Sequence, residues 1–227
     1  MTPDLEDVLA AARVVVLPLH TRFRGLTHRE ALLLHGPYGW GEFAPFAEYD
    51  DLEASRWLAS AVEAAWTPPV PVLRGSVPVN ATVPAVAPEA VAGVLARFPG
   101  CTTAKVKVAE RGQYLADDVA RVSEVRAVLG AGGRIRVDSN GGWDVEAARR
   151  ALAALARYGL EYAEQPCPTL ADLSALRVAL ARDGVDVAIA ADESVRKAED
   201  PLRVAVAGAA DIVVVKVAPL GGVRADE

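Results

Sequence analysis

Lysine is scarce in this chain. Of its 24 basic residues, 20 are arginine and four are lysine: Lys105, Lys107, Lys197 and Lys216. Arginine is the ordinary basic residue here, so each lysine asks for a reason. Cysteine is scarcer still. Cys101 and Cys167 make no disulfide framework, and their spacing is not that of a zinc site. Histidine is confined to His20, His28 and His35. No run approaches the ~18 apolar residues of a membrane span. The opening MTPDLEDVLA is acidic and has no basic region ahead of an apolar stretch, so no signal peptide is expected. A net charge of −6 argues against a nucleic-acid footprint or a polybasic membrane surface. The expectation is a cytoplasmic protein that binds neither nucleic acid nor membrane; composition leaves the oligomeric state open.

What is there is globular: 52% of the 227 residues are hydrophobic and 24% charged. Residues 13–46 read as β-rich, with ARVVVLPL and EALLLHG separated by the polar stretch TRFRGLTHR and followed by the turn-rich GPYGWGEFAPF. Residues 51–66 carry helical apolar spacing at Leu52, Trp57, Leu58, Ala61, Val62 and Ala65, where the tryptophans Trp57 and Trp66 read as packing residues. The proline-rich TPPVPVLRGSVP (67–78) reads as a linker. A domain boundary is expected there, dividing residues 1–72 from 73–227.

Beyond the linker the pattern alternates. Strands are predicted at 77–83, 103–109, 134–140, 160–166, 187–193 and 211–217, with helices at 88–98, 115–129, 144–158, 170–182 and 199–207. Six strands separated by five helices form a βα repeat and predict a parallel sheet, either an open doubly wound sheet or a barrel. No G-x-G-x-x-G follows the first strand, which lowers the dinucleotide-binding reading.

The predicted strands end in charge. Strand parity puts Lys105 and Lys107 on one face, and Asp138 and Asn140 on one face of the next strand. Glu164, Asp192 and Lys216 close the following three. From Lys107 through Asp138, Glu164 and Asp192 to Lys216 the separations are 31, 26, 28 and 24 residues, one βα unit each. In a barrel these side chains converge at the C-terminal mouth, where such folds keep their active sites. Three carboxylates from adjacent strands repel one another unless a cation joins them, and an oxygen-only set favours Mg²⁺ or Mn²⁺. A lysine beside a second cation has its pKa lowered and becomes available as a base. The bland alternatives are a helix cap or surface ion pair for any single acid, and pairing of Arg136 with Asp138. Glu193 is expected to point away from Asp192 and bond the backbone, and Lys197 to be solvated. Cys101 and Cys167 read as small packed residues, with Cys167 close to the site through Glu164. Five charges at matching strand ends favour function, because unpaired buried charge costs several kcal/mol.

These motifs resemble the enolase superfamily, in its muconate-lactonizing subgroup. AKVKV (104–108) resembles the K-x-K motif, VDSNGGW, AEQP and ADES the three metal-ligand strands, VVVKVAPLGG the opposite lysine strand, and GWGEFAPF (39–46) the capping-domain signature. Within the subgroup TRFRG, VPVNATVPAV and EQPCPTL look most like the actinobacterial o-succinylbenzoate synthase family of menaquinone biosynthesis. The resemblance implies an α/β fold: a TIM-type (β/α) barrel, six of its eight strands present, behind an N-terminal α+β capping domain. It implies a metal-dependent carbon–oxygen lyase, a dehydratase acting on a small carboxylate by syn elimination through an enediolate. Asp138, Glu164 and Asp192 would bind Mg²⁺, with Mn²⁺ as the alternative. Lys107 would take the proton α to the substrate carboxylate and return it to the departing hydroxyl. Lys216 would stabilise the enediolate from the other face, Lys105 would support Lys107 and the substrate, and Asn140 would orient metal ligands. Arg22 or Arg24, in a loop expected to be mobile, would meet the distal carboxylate.

Two rivals stand beside this expectation. Two lysines on opposite faces also suit an N-acylamino acid racemase or dipeptide epimerase. A full eight-stranded barrel alone takes about 250 residues. A capping domain plus six barrel units in 227 residues therefore also fits a truncated, non-catalytic or binding-only chain.

Overall fold

The computed structural model describes residues 3–23, 26–196 and 200–224, with only the backbone of residues 21–23. These residues form two bodies: 3–75 with 196 and 215–224, and 76–195 with 200–214.

The first body opens with a short helix, α1 (Leu5–Ala11), which the sequence reading passes over. None of its residues is fully buried, and Val8 packs only partly buried against the Leu34–Ala61–Ala65 cluster, which leaves too little for an amphipathic stripe. Its N-terminus is capped locally: Asp7 N–H donates to the Asp4 carboxylate at 2.9 Å and Asp4 N–H to Asp7 at 3.3 Å, a reciprocal cap. An antiparallel sheet follows, β1 (Ala12–Phe23), β2 (Leu26–Gly36) and β3 (Gly39–Phe43), in that spatial order. The expected loop at TRFRG is mostly strand. β1 continues to Phe23, which pairs with Leu26, after a register irregularity that begins at Pro18. Proline has no N–H for the ladder, so the slip falls where pairing is weakest.

Helix α2 (Asp51–Trp66) packs on this sheet and is capped by Asp50, whose carboxylate accepts from Glu53 N–H at 2.8 Å. Gly36 and Gly41 make the close approach possible. A Cβ at Gly41 would lie 1.9 Å from the Ala61 carbonyl oxygen, and one at Gly36 2.3 Å from that of Ala65. Leu34, Ala61 and Ala65 form the buried centre, flanked by Trp66. Trp57 instead joins Phe46 and Tyr49 in an aromatic group. No helix or strand occupies residues 67–80.

The second body is a six-stranded parallel sheet whose spatial order equals its sequence order: β4 (Ala81–Val83), β5 (Thr103–Lys107), β6 (Arg134–Asp138), β7 (Leu160–Glu164), β8 (Ile189–Ala191) and β9 (Ile212–Val213). A singly wound order of this kind is that of a (β/α) barrel, not of a doubly wound sheet with its reversal point. Helices α3 (Val91–Leu95), α4 (Leu115–Leu129), α5 (Val145–Leu155), α6 (Leu170–Asp183) and α7 (Asp200–Val206) connect the strands. α4 matches its predicted span residue for residue. Their starts and stops are chemical. Asp144 caps α5, Thr169 caps α6, and Gly159 and Gly184 take left-handed conformations after helical segments.

Val83, Val106, Ile135, Leu152, Leu173 and Ile189 are buried in the core between sheet and helices. The edge strands β4 and β9 are shorter than predicted. Each has one neighbour, and Pro78 removes a donor from the run before β4. The chain after Val213 does not continue as strand to residue 217. It turns into α8 (Val217–Leu220), which belongs to the first body and packs against α2.

Candidate active site

Parallel register builds the site. Lys107 of β5 pairs with Asp138 of β6, and Asp138 with Glu164 of β7, so three predicted residues lie in one row at the strand ends. Asp192 follows two residues after Ala190, the register partner of Glu164. One pleat earlier, Lys105, Arg136 and Tyr162 form the next row. Asp138, Glu164 and Asp192 are each at most 3% exposed.

The lysines bind these carboxylates directly. Lys105 Nζ donates to Glu164 Oε1 at 2.8 Å and lies 3.1 Å from Asp138 Oδ2. Lys107 Nζ pairs with the same Asp138 oxygen and donates to Asn140 Oδ1 at 2.7 Å. Asn140 is a hub. Its N–H donates to Asp138 Oδ1 at 3.0 Å, and its side-chain Nδ2 donates to Glu193 Oε1 at 2.9 Å. Asn140 holds a positive φ of 50°, a conformation asparagine tolerates better than most residues.

The electrostatics follow from crowding. Burial disfavours the ionised Asp138, but Lys107 and Lys105 outweigh it and hold its pKa below the usual range. Burial also works against the Lys105 ammonium, yet Asp138 and Glu164 hold its pKa above the ordinary lysine value. The lowering expected for a lysine beside a second cation is thus reversed for Lys105, because two carboxylates face it. Glu164 is pushed up to about 7 by burial and by Asp138, with Asp192 adding to the rise despite the bond to Lys105. Three buried carboxylates therefore crowd one another at these strand ends.

A set of carboxylate oxygens with no sulfur or imidazole among them fits a hard divalent cation. As the side chains stand, no three Asp, Glu, His or Cys residues among those described form a group able to hold a metal ion. Asp138 and Glu164 are turned to the lysines instead. The donor chemistry fits the cation, and its closure requires these side chains to leave their ammonium partners.

The other expectations fare differently from one another. Arg136 does not pair with Asp138. Its Nε donates to Glu161 Oε2 at 2.6 Å, its Nη1 to Asn80 Oδ1 at 3.1 Å, and its guanidinium lies over the Tyr162 ring. The row of Arg136 lies one pleat below Asp138, and Glu161 is within its reach. Glu193 accepts from the Asn140 side chain in addition to any backbone role. Cys167 is buried in the core, with its thiol pushed up to about 12 by burial, and Cys101 is half-buried; both are free. Lys216 is exposed, three residues beyond β9 and directly before α8, in the first body. The Arg22 side chain, Arg24 and Lys197 lie outside the described residues.

The sequence reading passes over Gln165, which is fully buried. Its Oε1 accepts from Asp192 N–H at 2.9 Å and Ser194 N–H at 3.2 Å, and its Nε2 donates to Ser194 Oγ at 2.8 Å and the Cys167 carbonyl at 3.0 Å. It ties the end of β7 to the Asp192 turn. The available signal was a polar residue before proline in AEQP.

Comparison with known proteins accords with this geometry. Residues 14–65 match the model described as enolase N-terminal domain-like, and residues 88–225 the one described as enolase C-terminal domain-like. An o-succinylbenzoate synthase of Mycolicibacterium smegmatis is 60% identical over 222 residues, 97% of this chain and 67% of that protein. The chain belongs to the o-succinylbenzoate synthase family of the enolase superfamily. A second member, from Mycobacterium ulcerans, is 57% identical over 97% of this chain and 65% of its own length. The chain thus spans about two thirds of these curated relatives. Among solved structures, the o-succinylbenzoate synthase of Thermosynechococcus elongatus BP-1, complexed with Mg in its active site, is 26% identical with a TM-score of 0.66, over 94% of this chain and 78% of that one. No helix among the described residues is long and apolar enough to cross a membrane.

Proposed function

We propose that this chain carries out the chemistry of its family: dehydration of 2-succinyl-6-hydroxy-2,4-cyclohexadiene-1-carboxylate to o-succinylbenzoate, in menaquinone biosynthesis in the cytoplasm. The observation that carries the reading is the row Lys107–Asp138–Glu164, with Lys105 bridging the two carboxylates from the row below.

Asp138, Glu164 and Asp192 would hold the cation, Mg²⁺ before Mn²⁺. When bound, it would supply positive charge against the substrate carboxylate as the neighbouring carbon loses its proton. Lys107 is the acid–base residue. Its ion pair with Asp138 opens and one ammonium proton passes to solvent water, leaving a lone pair on Nζ. The C–H bond α to the carboxylate breaks and its proton passes to Nζ. The C–O bond to the ring hydroxyl then breaks, and the same proton leaves with that oxygen as water. Asn140 keeps Nζ directed while the pair is open, and Lys105, released from Glu164, supports Lys107 and the incoming carboxylate. Lys216 serves as the cation on the opposite face, and Arg22 or Arg24 as the partner of the succinyl carboxylate. Residues 1–72 form the capping domain and the span 73–227 supplies the barrel, apart from the residues of that span that group with the first body. The ligands are small carboxylates, and the net charge of −6 gives nucleic acid no footprint.

The decisive experiment incubates the chain with Mg²⁺ and the cyclohexadiene substrate and follows o-succinylbenzoate. N-acylamino acids are assayed in parallel. Dehydration that is lost on adding EDTA is expected. Racemisation without dehydration would transfer the assignment to the racemase reading, and neither activity would support the binding-only one. Lys107→Ala is expected to lower turnover by about 10²–10⁴-fold, the span of a general acid–base contribution.

A further inference from the structure

Among the described residues the largest fully buried side chain is a charged one, Arg121 on α4, 1% exposed, and it lies outside the carboxylate–lysine cluster. Its Nε donates to the Val86 carbonyl at 2.7 Å. Its Nη1 donates to the carbonyl of Lys107 at 3.0 Å and to Asp118 Oδ1 at 2.9 Å, and its Nη2 to Gln113 Oε1. Asp118, 2% exposed, uses its other oxygen to accept from Ala109 N–H at 3.1 Å. Gln113 in turn donates to the Ala85 carbonyl at 3.0 Å.

The place where this network lands is specific. β4 ends at Val83, the register partner of Val106, so the ladder on that side stops one residue short of Lys107. Arg121 takes the Lys107 carbonyl where a strand neighbour would have continued. Val108 N–H donates to the Asp138 carbonyl at 3.0 Å, on the other side. Ala109 then adopts φ 59°, a left-handed conformation that is unfavourable for alanine and persists only when its surroundings hold it. Asp118 supplies that hold. The backbone at 107, 108 and 109 is therefore gripped at three successive residues, two of the grips coming from one buried ion pair.

A buried ion pair is weak evidence for stability, since apolar residues of similar volume often do as well. It fixes geometry instead, through planar bidentate donors and full mutual satisfaction. We propose that Arg121 and Asp118 are positioning residues for Lys107: they set the backbone from which its Nζ reaches Asp138 and Asn140. The inference rests on the assignment of Lys107 as the acid–base residue.

The test uses the full chain with Asp118→Asn and Arg121→Met combined, so that no unpaired charge is left buried, and Arg121→Lys as a milder variant should the double variant fail to fold. The expected result is a fall in kcat of about 10- to 100-fold with KM within about threefold, the signature of a misplaced reacting group. Arg121→Lys, which keeps the charge on a single donor nitrogen, should recover part of the loss. A readout independent of turnover comes from the scarcity of lysine. With ¹³C-ε-lysine labelling, the four lysine signals are assigned by Lys→Arg substitutions. The Lys107 signal should shift or broaden in each variant while those of Lys197 and Lys216 stay in place. If kcat and the Lys107 signal are both unchanged, whatever happens to Tm, Arg121 and Asp118 are structural only and the proposal is overturned. If the unsubstituted chain shows no dehydration, the proposed function fails, and the lysine signals still decide the positioning.

Discussion

Lys107 and Asn140 stand 33 residues apart in the chain and meet beyond the ends of β5 and β6, Lys107 Nζ donating to Asn140 Oδ1 at 2.7 Å. The contact joins the proposed acid–base residue to a side chain that also reaches Glu193, at the turn carrying Asp192. Three strand ends are thereby coordinated through one amide.

Removing that amide should cost activity more than stability. Asn140→Gly keeps the positive φ of 50° available and deletes only the side chain, so kcat should fall by about 10- to 100-fold with little change in Tm. Asn140→Ala should lose the same activity and about 1 kcal/mol of stability besides, from left-handed strain. Steady-state kinetics and thermal melts of the two variants separate the effects.

Gln165 makes the opposite trade. Gln165→Leu leaves the buried N–H groups of Asp192 and Ser194 without their acceptor, at a cost of about 2–4 kcal/mol. Because Asp192 loses its anchor, Mg²⁺ affinity should drop about 10-fold or more. Calorimetric titration with Mg²⁺ checks this; a stable variant with unaltered affinity would remove Gln165 from the account.

Metal affinity should depend on pH through Glu164. Its carboxyl is raised to about 7, so below that pH it carries a proton that a cation must displace. The sign is fixed: affinity for Mg²⁺ falls as the pH drops through 7, approaching about tenfold per pH unit. Titrations between pH 8 and pH 6 should show the slope, and Glu164→Gln should flatten it while weakening binding throughout.

The N-terminal body has its own sensitive point. A Cβ at Gly41 would lie 1.9 Å from the Ala61 carbonyl oxygen, so Gly41→Ala must push α2 off its sheet. A loss of about 2–4 kcal/mol is expected by chemical denaturation. Gly75→Ala, with nothing within 4 Å of the added carbon, should leave stability unchanged.

The helices and strands that the sequence makes legible are those with local causes. α4 and α6 are marked by apolar spacing and by polar residues or glycine at their ends, and these act within a few residues of chain. α1 escapes the same reading because none of its residues is fully buried, and β1 runs through a polar stretch because its partner, not its composition, keeps it extended. The edge strands are shorter than their valine content suggests, since a strand's length depends on having neighbours.

The same division runs through the site. The sequence by itself determined that Lys105, Lys107, Asp138, Glu164 and Asp192 sit at successive strand ends, because the βα unit repeats at nearly constant length and strand parity is local. Which side chains touch was decided only by tertiary structure. Parallel register set Lys107 beside Asp138, sent Arg136 to Glu161, and gave Gln165 and Arg121 their places among backbone groups distant in sequence. Hydrogen bonds between strands are a property of register and burial, and neither is written in the spacing of residues along one chain.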